Sequence, residues 1–398
     1  MSKIKNKTIL IIYTVTIGFI IGTLIWLFLK ANKLGIELLW DYIPSKIKIP
    51  FYPLVICLIG GIITGLWKRK YGDFPEELNE VVKELKTKGR YKYDNIISKI
   101  ISSLLPLLIG ASVGPESGLV GIIAGLCTWA KDKLKTIFKE IEELTFISVS
   151  ATLGTIFKSP MFGFIEPIEN ENQIPKSSKT VIYFISILSA FGTFSLLNKI
   201  FSEQLGFENL GKTNANINWI YILMFIIIGI ILSLIYKYTK KIIQKILKPL
   251  KDNILIKCII GSILLGITGM ILPLTMFSGE DQINVIIQNG IKIGVPTLII
   301  ISIFKIILTN ICIETGLKGG HFFPMIFSGI TLGYSLSIIL NYDPIITMAT
   351  VTSSLLGSIL KKPIAPSLLL MIIFPANLVP LMLLSSTVSV LFTSKNSH

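Results

Sequence analysis

Two short glycine-rich segments interrupt long apolar runs and carry residue types that suit anion binding. The first is GASVGPESG at 110–118, and the second is GGHFFPMIFSG at 319–329. A helix that starts at such a break leaves its first N–H groups without intrahelical partners and carries partial positive charge at that end. Glycine lets an ion approach the backbone closely, and proline in a first helical turn sacrifices no hydrogen bond. The segments therefore predict anion sites built from backbone amides.

The two segments occupy corresponding places in the two halves of the chain. A glycine and acidic turn precedes each one: YGDFPEEL at 71–78 comes before the first, and FSGEDQINV at 277–285 before the second. The spacing from Gly72 to Gly114 differs by one residue from that between Gly279 and Gly320. Interrupted hydrophobic segments at matching positions in two halves indicate a transporter binding site. We therefore expect the two breaks to face one another.

The elements that hold these segments are membrane helices. The chain has 398 residues, of which 52% are hydrophobic and 15% charged, and its mean hydropathy is +0.72, well above that of a soluble domain. The first apolar run, 8–29, is long enough to cross a bilayer and reads as a retained helix. Later runs are short or cut by glycine and proline, which predicts tilted and discontinuous helices. The sequence predicts an all-α, multi-pass protein of the cell membrane.

Composition also excludes several classes of function. Four scattered cysteines and two histidines provide no metal-ligand spacing, so we expect no metal and no cofactor. The net charge of +15 lies mainly in loops between apolar runs, which indicates cytoplasmic loops and not a nucleic-acid surface. An intramembrane enzyme needs clustered acidic, histidine or arginine side chains, and the apolar runs hold almost none. A cation or amino-acid transporter stays open as an alternative of a different class.

Four segments in order resemble the CLC family of chloride channels and chloride/proton antiporters. GASVGPESG resembles the family's G(K/R)EGP motif, GGHFFP resembles GxFxP, and YGDFPEE resembles GSGIPE. FKSPMFGFIEPIEN at 157–170 is similar to a stretch with a proline, a glycine and paired glutamates. The resemblance covers most of residues 50–375. It implies two inverted repeats, about 8–200 and 218–395. The longest polar stretches, 71–94 and 202–218, are loop-sized, so we expect one transmembrane domain over 1–398 and no soluble regulatory domain.

The resemblance further implies a homodimer in the lipid bilayer, with one pathway per subunit for chloride or another small anion. Residues at and near both breaks would bind the anion: Gly72, Asp73, Ser112, Val113, Gly114, Gly320, His321, Phe322 and Phe323. His321 has two readings, because a neutral imidazole can simply pack, whereas a titrating one would act as a pH-sensitive gate.

Several family side chains are replaced in this sequence. The gating glutamate falls on Val113, the internal proton-relay glutamate on Asn170, and the ligand serine on Gly72. The family's C-terminal tyrosine ligand has no counterpart, since no tyrosine follows Tyr342. Valine neither titrates nor competes with an anion. The departures therefore predict passive, channel-type conduction, with chloride as the first candidate.

Displaced carboxylates keep a second hypothesis open, a proton-coupled anion antiporter. An ionisable residue at membrane depth is a functional candidate. Glu116, one helical turn after Val113, could carry the proton together with Glu166 or Glu169 on another helix. The structural reading of Glu116 is an acidic residue stabilised by the dipole of its own helix. The structural reading of the other two glutamates is a helix-end pair near Lys176 and Lys179. Export of fluoride or another small anion is a further alternative.

Overall fold

The computed structural model describes residues 2–133, 144–171, 177–203, 209–211, 213, 217–250 and 252–394. Within these residues the regular structure is helical, apart from one isolated bridge between Gly114 and Gly320, which confirms the predicted all-α class. The α-helices are, in chain order, α1 (Ser2–Ile36), α2 (Ile43–Lys46), α3 (Tyr52–Tyr71), α4 (Leu78–Lys88), α5 (Ile96–Leu108), α6 (Glu116–Lys133), α7 (Leu144–Ile156), α8 (Pro160–Glu171), α9 (Ser177–Ile200), α10 (Trp219–Leu247), α11 (Ile254–Ile271), α12 (Glu280–Ile293), α13 (Val295–Glu314), α14 (Phe322–Leu340), α15 (Pro344–Leu360), α16 (Ala365–Leu370) and α17 (Val379–Ser394). Short 3-10 turns cover Lys248–Leu250, Pro273–Thr275 and Ala376–Leu378, and a π-helical segment covers Glu37–Tyr42.

Eight helical stretches in the described residues are long and apolar enough to cross a membrane. They are Ile11–Lys46, Tyr52–Tyr71, Thr180–Ile200, Trp219–Leu250, Ile254–Ile271, Val295–Glu314, Phe322–Leu340 and Ala376–Thr393. Three further apolar helices are shorter: Ile96–Leu108, Thr145–Ile156 and Pro344–Leu360. The mixture of full spans and short apolar helices agrees with the interrupted pattern of the sequence. The protein is a multi-pass integral membrane protein.

The chain forms two compact units, each assembled from separate stretches of sequence. Unit 1 comprises Met1–Leu34, Pro75–Ile101 and Glu116–Gly206. In it, α7 packs against α6, α8 and α9. Gly18 of α1 approaches α9 so closely that an added Cβ would lie 2.6 Å from Ser189 Cβ. Such small residues let helices pack closely. Close packing matters in a membrane, because the hydrophobic effect does not drive helices together there.

Unit 2 comprises Gly35–Phe74, Ser102–Pro115 and Phe207–His398. Its α3 packs on α11 through small residues, since a Cβ added to Gly61 would lie 2.2 Å from Ser262 Oγ. Its α14 contacts α12, α13 and α15. Of the most apolar stretch of α14, 78% is buried, which is the largest share among the eight spans. The helix that follows the second glycine segment is therefore the most enclosed of the spans. The predicted repeats, about 8–200 and 218–395, remain a prediction.

Candidate anion-binding site

The two glycine-rich segments meet within unit 2 through a pair of backbone hydrogen bonds. The N–H of Gly114 donates to the carbonyl oxygen of Gly320, and the N–H of Gly320 donates to that of Gly114, both at 2.7 Å. This reciprocal pair is the antiparallel bridge. The two breaks thus face one another, as the sequence predicts. Each of these two N–H groups thus has the other residue's carbonyl oxygen as its acceptor. That Gly114 and Gly320 bind the anion stays a prediction.

A glycine beside the bridge permits this close approach. A Cβ added to Gly319 would lie 2.5 Å from Val113 Cγ2 and 2.8 Å from the carbonyl oxygen of Gly114. Real side chains do not tolerate contacts that short. The second glycine segment therefore needs a residue without a side chain directly before the bridge, and Val113 fills the space that the glycine leaves.

The helix α14 begins directly after the bridge. His321 is its N-cap residue and makes no side-chain capping hydrogen bond. The first N–H groups of an α-helix have no acceptor inside the helix, and the macrodipole places partial positive charge there. The side chains of Phe322 and Phe323 are buried, whereas the half-buried His321 ring stacks on the Phe322 ring with centroids 5.0 Å apart. The His321 ring also lies 5.7 Å from the Tyr236 ring, and both the packing and the gating hypothesis for this histidine stay predictions.

Ser112 takes part in a buried hydroxyl chain. Its Oγ lies 3.1 Å from Thr309 Oγ1, and Thr309 Oγ1 donates to the carbonyl oxygen of Lys305 at 2.8 Å. A threonine hydroxyl has one proton, so Ser112 must be the donor in the first contact. The hydroxyl of Ser112 is thus bonded inside the protein, and the role of Ser112 in anion binding stays a prediction.

A buried lysine near this chain was missed at the sequence level. Lys305 on α13 is fully buried, and its Nζ donates to the carbonyl oxygens of Thr275, Met276 and Phe277 at 3.1, 2.9 and 2.7 Å. The ammonium also lies 5.0 Å from the centroid of the Phe327 ring. Among the described residues no carboxylate pairs with it.

The sequence does contain a signal for Lys305, a single ionisable residue in the apolar run 295–309. The N–H of Phe277 donates to the carbonyl oxygen of Gly110 at 2.9 Å, so the turn that Lys305 holds is bonded to the first residue of the first glycine segment. Lys305 therefore ties the turn at 275–277, and through it Gly110, to α13.

At the end of α3, Gly72 and Asp73 form a different arrangement from the one predicted. Gly72 has φ +101°, a conformation that favours glycine, and no heavy atom lies within 4 Å of an added Cβ. The carboxylate of Asp73 lies between two ammonium groups, with Oδ1 3.0 Å from Lys68 Nζ and Oδ2 2.7 Å from Lys318 Nζ. Burial alone would raise the pKa of Asp73, but the two lysines outweigh it and lower the pKa overall. The Asp73 side chain is thus an ion-pair partner of two lysines, and its part in anion binding stays a prediction.

The glutamates of the coupling hypothesis all lie in unit 1. Glu116 is fully buried and is the first residue of α6, where the helix dipole stabilises a carboxylate. Glu166 on α8 is 2% exposed, and Glu169 on the same helix is half-buried. Asn170 belongs to α8, but its side chain lies outside the described residues, as do Lys176 and the side chain of Lys179. Two carboxyl groups are therefore buried in apolar helices of this unit.

Comparison with known proteins decides the family. Residues 60–394 match the family described as voltage gated chloride channel, which is most of the chain. The chain belongs to the voltage-gated chloride channel family. Its members are transporters and not enzymes, and this protein is accordingly an anion transport protein. The family match confirms the resemblance drawn from the four ordered segments.

Relatives of this chloride channel family member share its fold at low sequence identity. A protein of Escherichia coli named as an ion-transport protein, YfeO, is 21% identical over 371 residues, covering 90% of this chain and 85% of that protein. A solved CLC-type fluoride/proton antiporter has a TM-score of 0.78 and 19% identity over 98% of this chain and 96% of its own. A slow cyanobacterial chloride/proton antiporter has a TM-score of 0.81 and 18% identity over 98% and 95%. These likenesses establish the common fold, while the roles of individual residues stay predictions.

Proposed function

We propose that the protein conducts small anions, chloride first, passively through a pathway at the start of α14 and the 110–115 segment. The observation that carries the proposal is Val113, which is fully buried and packs beside Gly319 where the resemblance places the gating glutamate. A valine has no charge that competes with an anion and no proton to exchange. Anion movement at this position therefore has no means of coupling to a proton.

The anion is held mainly by partial charges and not by a side-chain ligand. The amides at His321, Phe322 and Phe323 lie at the start of α14, whose macrodipole amounts to roughly half a positive charge at that end. Lys305 lies one helical turn before Thr309, which contacts Ser112, and its Nζ donates to three backbone carbonyl oxygens. Weak, multi-point binding permits the release that conduction requires.

Flux from liposomes tests the proposal. Purified protein is reconstituted in chloride-loaded vesicles, chloride efflux and external pH are recorded together, and a proton gradient is imposed in a second run. We expect passive efflux that the gradient cannot drive uphill. Val113→Glu, which restores a titratable group at this position, should make the flux depend on pH, and Val113→Leu serves as the size control. Uphill chloride movement in the unsubstituted protein would refute passive conduction.

A proton-coupled antiporter is the second candidate, favoured by the burial of Glu116 and Glu166 in apolar helices. The two solved neighbours named above are described as antiporters, one for fluoride and one for chloride. If coupling exists here, Glu116→Gln or Glu166→Gln should abolish proton movement while anion flux continues. Efflux measured in parallel with a fluoride electrode separates a fluoride exporter from a chloride pathway.

The homodimer is also part of the proposal. The apolar side chains of Val181, Phe184, Leu188 and Leu196 on α9 are exposed in the single chain, and lipid or a second copy must cover them. Mass measurement of single particles in nanodiscs distinguishes the two, because a dimer doubles the protein mass. A uniform population of monomers would contradict a homodimer.

A further inference from the structure

A surface pocket lies between α1 and the end of α9, both of which belong to unit 1. Its volume is about 480 Å³, and it is lined by Lys33, Asn198, Lys199, Ser202 and Glu203. The apolar run 8–29 ends directly before Lys30, and the span Thr180–Ile200 ends one residue after Lys199. The pocket therefore lies where both helices leave the apolar layer of the membrane, at the depth of the lipid headgroups.

The pocket and its edge carry an excess of positive charge. Lys30 and Lys33 donate to the two carboxylate oxygens of Glu203, the second of them at 2.8 Å. Within the part of the chain that the structure describes, the exposed Lys199 makes no ion pair and no side-chain hydrogen bond. Three ammonium groups against one carboxylate leave two positive charges. The ligand that complements this charge is an anion.

Neutral hydrogen-bond donors line the same pocket. The indole N–H of Trp26 donates to Asn198 Oδ1 at 3.1 Å, so the NH₂ group of this amide remains a donor in the pocket wall. Ser202 adds a hydroxyl. Ammonium, amide and hydroxyl donors together suit the oxygens of a phosphodiester, which accept hydrogen bonds and carry negative charge. The volume lies in the range of about 300–1,000 Å³ that is usual for organic ligands, so the pocket is far too large for a monatomic ion alone.

Apolar side chains next to the lysines face the surroundings of the protein. Leu27 on α1 is exposed, as are Ile200 and Phe201 at the end of α9. The Phe201 ring packs on the Trp26 ring with centroids 4.8 Å apart, and tryptophan is enriched at the level of the lipid headgroups. A phosphate bound in the pocket can therefore have acyl chains attached to it, because an apolar surface continues from the pocket along both helices.

We propose that this pocket binds the phosphodiester headgroup of an anionic phospholipid, with Lys33 and Lys199 at the phosphate and the acyl chains along Leu27, Ile200 and Phe201. Basic pockets between membrane helices bind headgroups of this kind. The bound headgroup joins α1 to α9 at the membrane surface. The inference goes beyond the proposed function and does not depend on how the anion is transported.

Native mass spectrometry of the full chain in detergent tests this inference. The protein is titrated with dioleoylphosphatidylglycerol and, separately, with dioleoylphosphatidylcholine, which has the same acyl chains and no net charge. We expect tighter binding of phosphatidylglycerol. Lys199→Gln should weaken that binding about fivefold, the contribution of one lysine near a membrane surface, and leave phosphatidylcholine binding unchanged. Lys199→Arg keeps the charge and should bind phosphatidylglycerol as the unsubstituted protein does.

Lys70→Gln is the matched control, because Lys70 is an exposed lysine in the last turn of α3, another span, and does not line the pocket. It should leave the affinity for phosphatidylglycerol unchanged. Equal affinity for the two lipids, unchanged affinity in Lys199→Gln, or an equal loss in Lys199→Gln and Lys70→Gln overturns the inference. Displacement of phosphatidylglycerol by inorganic phosphate also overturns it, because the site would then take free phosphate. If Lys199→Gln does not fold, Lys33→Gln is judged by the same criteria.

Discussion

Substituting Gly319 by alanine should break the contact between the two glycine segments. The new Cβ would lie 2.5 Å from Val113 Cγ2 and 2.8 Å from both Val113 Cβ and the carbonyl oxygen of Gly114. Gly319 does not have a positive φ, so the cost is steric and not conformational. Overpacking of this kind costs about 1–3 kcal/mol, and separation of the segments would also weaken two hydrogen bonds of about 1 kcal/mol each. We expect a total loss of about 3 kcal/mol in stability.

The assay combines thermal unfolding in detergent with chloride flux from liposomes. Gly319→Ala should lower the Tm and reduce the flux by at least tenfold, because the start of α14 is displaced from the 110–114 segment. Gly192→Ala is the matched control, since no heavy atom lies within 4 Å of a Cβ added to Gly192 on α9. That control should keep the Tm or raise it slightly, as alanine favours a helix over glycine.

A second variant checks the steric reasoning behind this prediction. Val113→Gly combined with Gly319→Ala removes both contacts with the valine side chain and keeps the 2.8 Å contact with the Gly114 carbonyl oxygen. The double variant should therefore recover part of the lost stability. Wild-type Tm and flux in Gly319→Ala would refute the reasoning, because the segments would then tolerate a side chain that the geometry excludes.

Two further predictions concern charged groups. Lys305→Met should lower the Tm and the chloride flux, because it removes three buried hydrogen bonds to the carbonyl oxygens of 275–277, each of about 1 kcal/mol, from a turn that is bonded to Gly110. Lys305→Arg, which keeps a donor, should lose less, and equal Tm and flux values for all three proteins would contradict this. Glu203 accepts hydrogen bonds from Lys30 and Lys33, and these lower its pKa below the ordinary value of 4.5. The ionised Glu203 carboxylate stabilises the fold above pH 4.5, and this contribution is lost as the pH falls through the lower pKa of the folded state. The fall in Tm on acidification should therefore be smaller in Glu203→Gln. An identical dependence of Tm on pH in both proteins would show that the two lysines do not act through this carboxylate.

The sequence alone determined the membrane class, the all-α fold and the family. The length and hydrophobicity of each apolar run are local properties of the sequence, and they predict membrane-spanning helices directly. The reason is that the bilayer has a fixed thickness and that backbone N–H and C=O groups need hydrogen-bond partners within it. Glycine and proline mark helix breaks by their own conformational limits, so the places of GASVGPESG and GGHFFP could be read without coordinates. The matched spacing of the two halves predicted that the two breaks face one another.

Tertiary structure alone decided how the polar groups are used. The hydrogen bonds between Gly114 and Gly320 join residues from distant parts of the chain and give both N–H groups an acceptor inside the protein. Ser112 reaches a hydroxyl 197 positions away, and Asp73 reaches Lys318, so neither partner is visible in a local pattern. In the sequence, Lys305 is one basic residue in an apolar run. Only the folded structure shows that its Nζ donates to three backbone carbonyl oxygens. Hydrogen bonds and ion pairs depend on contacts within about 3–4 Å, and those contacts exist only once the helices have packed.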